Sequence, residues 1–526
     1  MMRAIRCALP FVCLTIFVSS STGFAQLRQT TYIKASNTEM NDHFGNGGTL
    51  EGHSVALSGD GNALAVGAPY ESSAAKGING NQNDNTLYSS GAVYIFVRTN
   101  NGWGQQAYIK ASNPGQSDKF GFVVCLSQDG STLAVSAPGE ASAAKGVNGN
   151  QGDDSIPEAG AVYIFTRTGA AWSQQAYIKA SNTGEPGVGD QFADGDRFGF
   201  SAALSADGNT LAVGAIAEDS GAKGINGDQN DNSQSSSGAV YVFNRSGNTW
   251  SQQAYVKASN TDANDLFGYS VGLSADGNTL AASAYDEDGS ARQINGPQDK
   301  ARRGAGAIYV FTRSGIAWSQ TAYLKASNAE TGDSLGYSIA ISQDGNTIAG
   351  GAADEDCMMP GVFNGDAKVC DNDQPEDNSS GAVYVFVRTG STWSQQAFIK
   401  SSNPGKEDWF GSRLNVSGDG NTLAVGAQVE NGSARQINGK PDDAAEDAGA
   451  VYFFTRTGTT WKQVAYVKAS NADAYDEFGS AMSLSKDGKT MAVSARSEAS
   501  AAKGINGNQN DNSAPGAGAV YIFTYQ

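Results

Sequence analysis

The hexapeptide GA[VI]Y[VIF]F begins at residues 91, 160, 238, 306, 381, 449 and 518, and its neighbours return with it. Laid against itself, the chain shows seven copies of a unit of roughly 70 residues. That period is long for a solenoid and suits a propeller blade carrying one large loop. Four segments recur in each copy. The first opens with FG and then alternates, as in FGFSAALS at 198, with starts at Phe44, Phe120, Phe198, Phe267, Leu335, Phe410 and Phe478. The second is TLAVGA or a variant, the third is the hexapeptide, and the fourth is Trp followed by QAYIKASN or similar. All four are short, β-prone and alternating, so each predicts a strand. SADGNT at 205 joins the first to the second by a tight Asp-Gly turn, and RTGAAW at 167 joins the third to the fourth by a Gly turn, so neighbours pair antiparallel. The expected fold is all-β: a seven-bladed β-propeller of four-stranded antiparallel blades.

The seventh copy stops after GAVYIF at 518, without a fourth strand, whereas LRQTTYIKASN at 27–37 is a fourth strand that precedes any first one. Pairing these two would complete the last blade and leave no open edge for aggregation. A ring closed in this way is one cooperative unit, so 26–526 is expected to be a single domain.

Residues 1–25 carry Arg3 and Arg6, an apolar run from Cys7 to Val18 and small residues before a cut after Ala25. They read as a secretory signal peptide, the apolar run being too short to span a bilayer. Its removal takes 35 basic side chains to 33 against 53 acidic ones, a net charge of −20. Such a surface repels nucleic acid and anionic membranes. Three cysteines remain, of which Cys357 and Cys370 share one loop and are expected to pair in an oxidising compartment, while Cys125 is expected to be a buried free thiol. No later stretch is long and apolar enough for a membrane helix, so the mature chain is expected to be a soluble monomer, secreted or at the cell surface, with the periplasm as the alternative.

FG followed by SVALS, with AVGAP at 65–69, resembles the FG-GAP repeat of integrin α-subunit propellers and their bacterial relatives. The resemblance implies the propeller and extends over nearly the whole mature chain. Activity does not follow from it, because one fold hosts many functions. In integrins the calcium motif sits in the hairpin between first and second strands; SADGNT is too short to wrap an ion, so those sites do not carry over.

The connection from second to third strand is long in every copy, 21 to 28 residues, and all seven emerge on one face. Loops of this length bind something or have internal order. Each has a glutamate three residues in, and an Asn-Gly eight or nine residues after it. In copies 1, 3 and 7 oxygen-bearing side chains then alternate. The sets Glu71, Asn79, Asn81, Asn83; Glu218, Asn226, Asp228, Asn230; and Glu498, Asn506, Asn508, Asn510 are candidate calcium loops, since alternate hard oxygens with glycine are what such loops offer. The competing reading is that these side chains fold the loop through Asx turns. A second ring, Asp42, Asp118, Asp196, Asp265, Asp333, Asp408 and Asp476, stands two residues ahead of each FG. It would cap the turn into the innermost strand, and it would also form a negative rim at the channel mouth.

The only histidines are His43 and His53, and no HExxH, CxxC or phosphate loop occurs. No catalytic residue is assigned and an enzyme is not expected. The leading expectation is a binding or adhesion propeller that meets an extracellular protein through the long-loop face, with calcium as candidate cofactor. The alternative is a multivalent lectin for glycans, which the scarcity of loop aromatics disfavours. A glycoside-acting enzyme ranks third.

Overall fold

The computed structural model describes residues 26–46, 53–184, 195–367, 370 and 378–525; the expected signal peptide lies outside them. The described residues form seven antiparallel sheets and no α-helix, so none is long and apolar enough to cross a membrane. Blade 3 is typical. Its strands Phe198–Leu204, Thr210–Ala215, Ala239–Ser246 and Thr249–Val256 pair in sequence order. The fourth strand carries a bulge between Val242 and Phe243 on its partner, and the equivalent bulge recurs in blades 1, 2, 4, 5 and 6.

Blade 7 is assembled from both chain ends. Leu27–Ile33 pairs antiparallel with Ala519–Tyr525, from Leu27 opposite Tyr525 to Ile33 opposite Val520, with a bulge between Gln29 and Thr31. The expected clasp is therefore present. Leu27 fills the position of the tryptophan in the other blades and is 4% exposed.

The apolar core lies mainly between blades. At the junction of blades 1 and 2, Val93, Ile95 and Ile109 meet Phe120, Leu133, Tyr163 and Phe165. The FG and GA motifs belong to this packing. Gly91 has a φ of +81°, and a Cβ there would lie 2.1 Å from the Phe120 carbonyl of the next blade. Gly121, at φ +96°, would strike the Ala92 carbonyl at 2.5 Å. The two backbones approach so closely that only glycine fits both places.

On the short-hairpin face the ring is closed by the backbone itself. One residue from each first hairpin donates its amide to the carbonyl of the next: Gly59 to Gln128, then Ala206, Ala275, Gln343, Gly418 and Lys486, which donates back to Gly59, all at 2.8–3.0 Å. Leu57, Leu126, Leu204, Leu273, Ile341, Val416 and Leu484 line an axial cavity of about 160 Å³ beside this circle. The circle is side-chain independent, which is why such different residues occupy it.

Blade 5 departs from the pattern. Its longer loop contributes an extra strand, Val362–Asn364, which pairs outside Thr392–Ile399. The loop is braced by the expected Cys357–Cys370 disulfide. Cys125 is free, as expected, but half-buried rather than buried; its Sγ lies 3.3 Å from the Ala202 carbonyl, and burial of that sulfur pushes the thiol up to about 12.

Candidate functional site

The long loops are fixed at their base by a buried charge. In blade 1, Lys110 at the end of the fourth strand donates to Glu71 Oε2 at 2.8 Å, and the Ser73 amide donates to the same oxygen at 3.1 Å. Glu71 Oε1 accepts from the Tyr108 hydroxyl at 2.8 Å and from Asn37 Nδ2 at 3.3 Å. Asn37 lies in the turn that follows the fourth strand of the preceding blade, and its Oδ1 accepts from the Tyr94 hydroxyl of blade 1 at 2.5 Å. One carboxylate thus ties its own loop, its own outer strand and the neighbouring blade together.

The hub repeats around the ring. The pairs Lys34–Glu498, Lys110–Glu71, Lys179–Glu140, Lys257–Glu218, Lys325–Glu287, Lys400–Glu355 and Lys468–Glu430 are all 2.7–2.9 Å long and essentially solvent-free. Burial pushes Lys257 below the ordinary lysine range, and the adjacent Glu218 carboxylate opposes that shift. Such a pair is costly to break, because either partner alone is a buried uncompensated charge.

This geometry decides where the candidate calcium residues fall. Glu71, Glu218 and Glu498 point inward and are each 1% exposed. In all three, both carboxylate oxygens are occupied by lysine, tyrosine, asparagine and a loop amide. Asn79, Asn226 and Asn506 are spent on the fourth strand, where each Oδ1 accepts from the Tyr108, Tyr255 or Tyr32 amide at 2.9–3.0 Å. Asn81, Asp228 and Asn508 each accept from the amide two residues on, that of Asn83, Asn230 or Asn510. These are Asx turns. The predicted sets therefore do not fit calcium: the glutamates face a saturated interior with an ammonium beside them, while the alternating oxygens face outward and order their own loop.

The aspartate ring is brought into equivalent places, but not as an exposed rim. Each aspartate is 3–6% exposed. Each accepts from a main-chain amide at 2.6–3.0 Å: that of Glu39, Gly115, Gly184, Asp262, Glu330, Gly405 or Asp473 for Asp42, Asp118, Asp196, Asp265, Asp333, Asp408 and Asp476 in turn. These are caps. Burial pushes Asp118, Asp196, Asp408 and Asp476 up to about 7, Asp42 and Asp265 up to about 8, and Asp333 well above the carboxylate range. Their burial fits the capping role, and the seven carboxyls do not stand out as an exposed ring.

The two histidines have separate surroundings. His43 Nδ1 donates to the Arg496 carbonyl at 3.2 Å, while His53 is pushed down to about 4 by burial and then by the nearby Arg413. Arg413 is itself buried and donates to the Ser480 and Ser412 carbonyls. The residues overlooked from sequence are the lysine and asparagine of KASN. A lysine that returns at a fixed place in an otherwise apolar strand end, in step with a glutamate in every loop, is the signal that pairs them.

The family match agrees with this architecture. The FG-GAP repeat family matches residues 103–165, 250–311 and 461–523. Each match runs from the tryptophan of one blade's fourth strand to the third strand of the next blade. No curated protein matches the chain. Among solved structures, a candidate 6-phosphogluconolactonase from Bacteroides uniformis ATCC 8492 aligns over 80% of this chain and 87% of its own, at 9% identity and a TM-score of 0.42. The chain is thus a seven-bladed β-propeller, closed by both chain ends, in which three stretches match the FG-GAP repeat.

Proposed function

We propose that this protein is a non-catalytic binding propeller that engages an extracellular protein ligand through its long-loop face. The supporting observation is the contrast within each loop. Its base is locked by a buried glutamate hub, while Asn81, Asn83 and their counterparts stand exposed in successive Asx turns. A face that is pre-ordered before it meets a partner loses less entropy on binding. The FG-GAP propeller fold supports a protein-binding scaffold by analogy. The Cys357–Cys370 bridge supports an oxidising, extracellular setting. Calcium is left out of this reading because the glutamates and the first two Asn or Asp residues of each candidate set are engaged within the loop.

Cross-linking of the purified protein to its captured partner, followed by peptide mapping, tests the proposal. Cross-links are expected in the long loops, such as 216–237 and 496–517. Cross-links confined to the opposite hairpin turns around Asp60, Asp129 and Asp207 would overturn it. Melting in calcium and in EDTA should give one midpoint; a rise with calcium would restore the metal.

A further inference from the structure

The junction of blades 7 and 1 breaks the repeat. A recess of about 520 Å³ opens there on the long-loop face, the size of a small-molecule site. Tyr70, Tyr88 and His43 line it, with Asn41, Asn85 and Ser89. At the position of Tyr70 the other blades carry Gly139, Ala217, Asp286, Asp354, Val429 and Ser497, and at that of Tyr88 they carry Pro157, Ser235, Arg303, Asn378, Glu446 and Pro515. At these two positions only blade 1 carries aromatic rings. Tyr88 is 66% exposed, and His43 meets Tyr70 edge-on at 5.2 Å between centroids.

A second observation points the same way. Ser89 is 2% exposed, lines the recess, and its Oγ has no hydrogen-bond partner. A buried hydroxyl left unpaired is costly unless something supplies the bond. The charges narrow the choice of ligand. Among the described residues no lysine or arginine lines the recess, and Arg496, whose carbonyl His43 meets, has its guanidinium on Glu477. An anionic ligand would have to compete with Glu477 for Arg496, whose charge reaches Tyr70 and His43. The Glu39 carboxylate accepts from Asn85 and Asp42 accepts from the Glu39 amide, so both lining acids are held in place as acceptors that suit ligand hydroxyls. With Nδ1 donating to a carbonyl, His43 keeps Nε2 as an acceptor. Flat amphipathic rings beside neutral amides and hydroxyls suit a ligand with one apolar face and a hydroxyl-rich edge.

We propose that this recess is a single binding site for a neutral saccharide, a sugar ring lying against Tyr88 and Tyr70 with its hydroxyls meeting Ser89, Asn41 and His43. The site is independent of the protein-binding reading of the loops and differs from a multivalent lectin in being unique to one junction. The test is saturation-transfer NMR of the whole mature protein with a panel of neutral mono- and disaccharides, with sialyllactose and a lysine–arginine tetrapeptide as charged probes. A neutral sugar is expected to bind. Tyr88→Ala should weaken it on the order of tenfold and Ser89→Ala about threefold, with unchanged thermal midpoints. Tyr475→Ala, an exposed ring outside the recess, should leave it intact. Binding of no panel sugar, preference for either charged probe, or full binding by Tyr88→Ala would each overturn the proposal, whatever cross-linking shows about a protein partner.

Discussion

Blades 3 and 5 are built on the same buried hub and hold their long loops by different means. In blade 3, Glu218 accepts from Tyr255, Lys257, Asn182 and the Ser220 amide, and noncovalent bonds alone dock the loop 216–237. In blade 5 the tyrosine is replaced by Phe398, so Glu355 keeps Lys400, Asn328 and the Cys357 amide but has no phenol donor. That loop instead carries the Cys357–Cys370 bridge and the extra strand Val362–Asn364, whose Phe363 packs on Phe398 at 5.9 Å. Where the hub loses a hydroxyl, a covalent link and an apolar contact accompany the loss. The shared element is the ion pair, and the variable one is how the loop above it is tethered.

The largest way to break this comparison is to remove the lysine. Lys257→Met leaves Glu218 charged, buried and uncompensated, which should cost about 3–5 kcal/mol. Lys400→Met should cost a similar amount, yet hydrogen exchange should separate the two. Protection should vanish from the blade 3 loop and persist near the bridge in blade 5. Equal loss in both loops would show that the bridge adds no tether.

Next comes the bridge itself. Its cysteines are 13 residues apart, and closing a loop of that size stabilises by about 3 kcal/mol through the unfolded chain. A Cys357→Ser, Cys370→Ser double variant should lose that amount in urea titration, with unchanged slope. Wild-type protein treated with reductant should reproduce the loss. A smaller pair of substitutions exchanges the hubs. Tyr255→Phe should cost about 1.5–3 kcal/mol, the range for a hydrogen bond to a charged group. Phe398→Tyr puts a hydroxyl toward Glu355 and should recover about 1 kcal/mol, provided Phe363 keeps its packing. No gain would mean that the apolar contact had fully replaced the phenol.

The propeller, its clasp and the bridge were legible because each is written in repeated or covalently constrained residue types: FG, GAVY, Asp-Gly turns, paired cysteines. The glutamates were legible as a ring but not as hubs, because their partners lie about 37–39 residues away on the outer strand and, through Asn37 or Asn182, on the previous blade. Alternating Asn and Asp in copies 1, 3 and 7 read as metal ligands because Asx turns use the same residues at the same spacing. The amide circle through Gly59, Gln128 and Ala206 left no trace, since backbone groups carry it. The recess at Tyr70 and Tyr88 is the opposite case: it lies where one copy deviates, and two exceptions about 20 residues apart converge only once the loop is folded.

The finest comparison concerns one indole. In most blades the tryptophan of the fourth strand donates Nε1 to a glutamine on the preceding blade, as Trp250 does to Gln175 at 2.9 Å and Trp318 to Gln253 at 2.8 Å. Blade 4 has Thr321 at that glutamine's place, and Trp393 of blade 5 is left buried with Nε1 unpaired, though Arg388 still lies over its ring at 5.5 Å. A donor stranded in this way forfeits its hydration without compensation. Thr321→Gln should therefore stabilise the protein by about 0.5–1.5 kcal/mol, and Gln253→Thr, which strands Trp318 in blade 4, should destabilise it by a similar amount. Tryptophan fluorescence during urea titration reads both. Gln253 accepts from both Trp318 and Arg313, so equal and opposite shifts would assign the difference to the glutamine's bonds with the indole and the arginine stacked on it. A loss from Thr321→Gln would instead mean that blade 5 has repacked around the smaller side chain and that its departure from blade 3 extends to the outer edge.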